Sequence, residues 1–155
     1  MRSAGGRAGA ASGRQQRPSI QVRVAALVYI ATLAVVTLLP VAWIRRPSDN
    51  RPQLLPLQGI LADLAESPAE RLAEAFGNVL LFVPLGFLLP LLIPAIGRWW
   101  RALAVGAGVS LLIELYQLIW PGVRKASVDD LLMNALGAVL GFAALQRTGY
   151  RRGGS

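Results

Sequence analysis

Residues 126–142 read "ASVDDLLMNALGAVLGF", two adjacent aspartates opening a run of apolar and small residues. Read as a water-soluble helix, the stretch would lack a polar face along most of its length; read as a membrane span, it starts with Asp129 and Asp130 at the rim and descends into lipid. The rest of the chain decides between the two. It has 155 residues, of which 54% are hydrophobic, and these fall into long blocks rather than short periodic ones. Such blocks approach the roughly 20 residues that cross a bilayer core. The predicted fold is an all-α membrane bundle of four transmembrane helices over about 22–43, 68–96, 101–120 and 127–146. A basic arm over 1–21, too polar and glycine-rich to pack, is expected to be disordered, and 147–155 form a basic tail.

Neither cysteine nor histidine occurs. Disulfides, thiolate chemistry, Cys/His metal sites and histidine-based triads are therefore excluded. The formal net charge of +8 could point to nucleic acid, but its distribution points elsewhere. Arg2, Arg7, Arg14, Arg17 and Arg23 precede or open the first helix, Arg98 and Arg101 lie between the second and third, and Arg147, Arg151 and Arg152 close the chain, with no acid in any of these segments. The acids lie with the remaining basic residues on the other side of the predicted spans. That bias places both termini in the cytoplasm, and with no aromatic-interleaved basic patch no nucleic-acid partner is expected.

The long segment 45–75 then lies outside. Its prolines favour extended or turned backbone at first, while "LLPLQGILADLAE" (54–66) has helical spacing suited to the outer interface. In "SPAERLAEAF" (67–76), Ser67 fits an N-cap, Pro68 the first helical position and Glu70 the capping box. Pro84 and Pro90 should kink the second helix. Gly137 and Gly141 form a small-xxx-small pair that permits close helix approach, as does Gly106 on the third helix.

Glu114 sits within an apolar run, in the outer third of the bilayer. An ionised carboxylate there costs about 3 kcal/mol unless paired. Ala102, Gly106, Ser110 and Glu114 follow at four-residue steps, with Gln117 just beyond, so the third helix carries one small or polar stripe. Asn78 on the second helix and Asn134 on the fourth fall at a similar depth. Asn78, Glu114, Gln117, Arg124, Asp129, Asp130 and Asn134 are accordingly the candidate ligand-binding residues of an outward polar pocket, with Lys125 beside Arg124. Plainer roles stay open for most of them: Asp129 and Asp130 as helix-dipole caps, the amides as interhelical hydrogen bonds, and Arg124 as a solvated loop residue or a neutraliser of Glu114 or Asp130.

"QLLPLQGI", "NVLLFVPLGFLLP" and "ELYQLIWPGVRKASVDDLLMNALGAVLGF", in that order, resemble the VanZ-like family of small bacterial membrane proteins over about 53–145. The matching positions are Asn78, Phe82, Pro84, Gly86, Glu114, Gln117, Arg124, Asp129, Asp130, Asn134 and Gly137; many members have an acid where this chain has Ser127. The resemblance implies a multi-pass protein of the bacterial cell membrane. The family's founding member is associated with low-level resistance to teicoplanin, a lipoglycopeptide acting at the outer face, without a change in the peptidoglycan precursor terminus. No cofactor or metal is expected. The expected partners are membrane lipids, a lipid-linked envelope ligand or a lipoglycopeptide-related target, and a second copy of the chain. A non-enzymatic binding role is favoured, and two alternatives stay open. One is a membrane enzyme with Glu114 and Asp130 as acid and base or as ligands of a hard cation. The other is a proton-coupled transporter relaying through Glu114, paired through the Gly137 and Gly141 face.

Overall fold

A computed structural model describes residues 18–38, 68–119 and 127–149. These form four helices: α1 (Ile20–Leu38), α2 (Pro68–Leu92), α3 (Trp99–Ile119) and α4 (Val128–Arg147). Each is long and apolar enough to cross a membrane. Large side chains such as Leu27, Val28, Leu80, Leu112, Ile119 and Leu140 stay exposed on the bundle, an exterior that suits hydrocarbon and not water. The described residues therefore form a four-helix membrane bundle. Residues 1–17 of the basic arm, the interfacial stretch 54–66, the Ser67 cap and residues 150–155 of the terminal tail lie outside the described residues, while Ile20 and Gln21 open α1 and Arg147 ends α4.

The helix ends have local causes. The apolar run continues to Ile96, and the second helix was expected to follow it, but α2 stops at Leu92. Ile93 precedes Pro94, whose ring disfavours a helical conformation at Ile93; the chain instead turns, with the Ile96 N–H donating to the Ile93 carbonyl at 3.0 Å. Arg101 fastens that turn to the start of α3: its guanidinium donates to the Ala95 carbonyl and lies 4.9 Å from the Trp100 ring centre. At the other end of α4, Gly149 adopts a left-handed φ of 75° and its N–H returns to Gln146, which stops the helix. Both prolines predicted to kink α2 lie inside one continuous helix, with Pro90 buried. Near the carbonyl that Pro84 leaves without its helical donor, the Tyr29 hydroxyl from α1 donates to the adjacent Leu81 carbonyl at 2.9 Å.

α2 and α4 form the most extensive interface, although α3 separates them in sequence. They run parallel. Position 79 of α2 lies against 137 of α4, and 83 against 141. Backbone meets backbone along this line: a Cβ on Gly86, Gly137 or Gly141 would fall onto the carbonyls of Ala138, Val79 and Val83 respectively. In a bilayer, where apolar surface gains little from leaving lipid, such close van der Waals contact is a main source of helix association. α3 packs antiparallel to α4, with Gly106 against the Ala138 methyl, and α1 covers α2 and α3 through Tyr29 and Leu33, which meet Phe82, Leu85 and Ile113. The small-residue face of α4, considered above for pairing two copies of the chain, is filled by α2 of the same chain.

Candidate functional site

The N-terminal ends of α2 and α4 and the C-terminal ends of α1 and α3 meet at one end of the bundle. Every buried polar or charged side chain among the described residues lies in that half: Thr37; Arg71 and Asn78; Ser110, Glu114 and Gln117; and Ser127, Asp129, Asp130 and Asn134. The helical repeat explains the convergence. On α3, Ser110, Glu114 and Gln117 share the stripe that begins with Ala102 and Gly106, so the packing that seats Gly106 on α4 carries the polar members with it. On α2, Arg71 and Asn78 are seven residues apart, with Phe82 and Leu85 continuing the same buried face.

Ser127 starts α4. Its extended backbone (φ −140°, ψ 129°) and its hydroxyl, accepting the Asp129 N–H at 3.2 Å, make it the N-cap. The two aspartates are therefore first-turn residues below the cap rather than caps themselves. Favourable placement of acids near a helix N-terminus accounts for part of their presence there. Asp129 is 1% exposed and pairs with the Arg71 guanidinium, Nη2 to Oδ2 at 3.3 Å, while the other guanidinium terminus, Nη1, donates to Glu74 at 2.7 Å. Glu114 reaches across from α3, its Oε2 accepting the Ser127 backbone N–H at 2.7 Å. One intramembrane acid thus ties α3 to the cap of α4, and one arginine ties α2 to the turn just below it.

Two of the three amides bridge helices. Asn134 Nδ2 donates to the Ser110 hydroxyl at 2.9 Å, and Gln117 Nε2 donates to the Thr37 carbonyl at 3.2 Å, so each joins two helices. At their other ends, Asn134 Oδ1 and Gln117 Oε1 have no hydrogen-bond partner, nor have Asn78 Nδ2 and Arg71 Nε. A buried polar atom without a partner costs about 1–3 kcal/mol. Four such atoms on one cluster are more than interhelical adhesion requires.

Of the seven sequence candidates, Asn78, Glu114, Gln117, Asp129, Asp130 and Asn134 are brought together. Arg124, with Lys125, lies outside the described residues. Arg71, Ser110 and Thr37 join them. Arg71 is the largest omission, since its place in the first turn of α2 made it read as one of the outer surface charges. The signal that could have found it is the spacing to Asn78, two turns further along the same helix. Among the described residues no three acids gather as a metal-ligand group.

An α-helical multi-pass protein with a buried polar end is the class that this geometry defines. A family model described as VanZ/LLP1 matches residues 26–147. The chain belongs to the VanZ/LLP1 family. No curated protein and no solved structure matches it.

Proposed function

We propose that this protein resides in the bacterial plasma membrane with both termini in the cytoplasm, and that its polar end opens outward as a binding site for a lipid-linked envelope ligand. In that setting it alters how a lipoglycopeptide such as teicoplanin engages the cell surface. The single observation that carries the reading is the group of four unpartnered atoms on Arg71, Asn78, Gln117 and Asn134, buried where three helices meet. A cluster serving only to hold the helices together would satisfy these atoms internally. The orientation is supported by the arginines Arg98, Arg101 and Arg147, which gather at the opposite end of the described bundle. In this reading Glu114 is a positioning residue. By holding the Ser127 N–H it fixes the start of α4, and with it Asp129, Asp130 and Asn134.

The test is teicoplanin susceptibility of a sensitive Gram-positive host that expresses wild type or Glu114→Gln at matched membrane levels, with vancomycin as the control drug. Wild type should raise teicoplanin tolerance and the variant should lose it. Unchanged susceptibility with wild type would remove the resistance role. Orientation is read separately from Asp63→Cys, which should react with an impermeant thiol reagent on intact cells; labelling only after lysis would reverse it.

A further inference from the structure

The ligand class can be narrowed from which valences the cluster has already used. Arg71 would be the natural grip for a phosphate, because a guanidinium holds an anion with two parallel N–H bonds. Here its termini are committed to Glu74 and Asp129, and Nε remains as a lone donor. Asp129, one of three buried carboxylates at this end, already neutralises part of the guanidinium's charge. What remains is a mixed set: two donors, Arg71 Nε and Asn78 Nδ2, and two acceptors, Gln117 Oε1 and Asn134 Oδ1, each on a side chain more than nine-tenths buried. A hydroxyl both donates and accepts, so neighbouring hydroxyls on one ring match such a set, whereas a phosphate supplies acceptors alone and an ammonium donors alone.

The donors and acceptors also lie at two depths. The helix pairings set the levels: Arg71 is level with Asp129, and Asn134 with Ser110, so Arg71 and Gln117 stand near the rim while Asn78 and Asn134 lie about one to two turns below. A group reaching both levels, about 8–10 Å apart at the helical rise, has the length of one to two linked sugar rings. The surrounding apolar exterior favours a ligand that is itself anchored in the bilayer. Resting on the reading of this end as a binding site, we infer that it takes the uncharged, polyhydroxylated head group of a membrane glycolipid.

The experiment uses the full chain in phosphatidylcholine nanodiscs and follows thermal unfolding by tryptophan fluorescence. Diglucosyl diacylglycerol, phosphatidylglycerol and free maltose are added in separate arms. The glucosyl lipid should raise the apparent Tm in proportion to its mole fraction, and Asn78→Leu should weaken the effect about tenfold, the loss expected of one buried hydrogen bond. Leucine nearly matches asparagine in size and removes a donor that has no partner in the protein. Should Asn78→Leu not fold, Gln117→Met probes an acceptor in the same way. A rise with maltose alone would keep the hydroxyl chemistry and overturn the lipid anchor. Stabilisation by phosphatidylglycerol, abolished by Asn78→Leu, would overturn the uncharged class while leaving the binding site standing. If no additive shifts the transition, the inference fails. The Glu114→Gln susceptibility test then decides independently whether the site reading fails with it.

Discussion

The two ends of this bundle hold the same helices together by opposite means. At the end bearing Ile96, Ala102 and Phe142, contact is dry and close: Gly86 and Gly141 let α2 and α4 approach until backbone touches backbone, and no buried polar side chain intervenes among the described residues. At the other end the helices are linked by an arginine, the carboxylates of Asp129 and Glu114 and the amides of Gln117 and Asn134, with four valences left over. A bundle needing only cohesion could have used small residues throughout. The contrast assigns stability chiefly to the glycine end and chemistry to the polar end.

The sharpest attempt to break this division is Arg71→Met. It leaves Asp129 buried without its cation and should cost about 3–5 kcal/mol in unfolding from bicelles, with Arg71→Met/Asp129→Leu recovering much of the loss. A cost below about 1 kcal/mol would mean that the pair is solvated and that the polar end is looser than its burial implies. Next in size is Gly86→Ala, where the new methyl overlaps the Ala138 carbonyl; about 3 kcal/mol is expected. Gly108→Ala on α3 meets open space and should change stability by less than about 0.5 kcal/mol, so equal effects at the two glycines would refute the close-contact account. Ser110→Ala should have an intermediate effect, about 1 kcal/mol, because it removes the acceptor of Asn134 in a region where interhelical hydrogen bonds are individually modest.

The four spans and the polar convergence were legible because they rest on two coarse signals, long apolar runs and the 3.6-residue repeat. The four-residue steps from Ala102 to Glu114 placed the α3 face correctly before any partner was known. Partner identity was harder to read. Gly137 and Gly141 announce that some helix comes close, yet nothing in their spacing distinguishes α2 from a second copy of the chain. Arg71 was obscured for a related reason: an arginine in a first turn is usually solvated, and only the packing of α2 on α4 turns it toward Asp129. The early end of α2 was available in Pro94, but the apolar run to Ile96 outweighed it.

The parallel seating of α2 on α4 also bears on how the protein is made. Its tightest interface joins segments about 58 residues apart, as the Arg71 to Asp129 pairing shows, so it cannot form until the fourth span has left the ribosome. Until then α2 and α3 reside in the bilayer with Arg71 and Glu114 lacking the partners that α4 and its cap supply. The newcomer is the least apolar of the four spans and brings two aspartates into the membrane with it. Insertion of α4 thus completes the polar end, because the helices awaiting it carry charge that is costly to hold within a bilayer until its partners arrive.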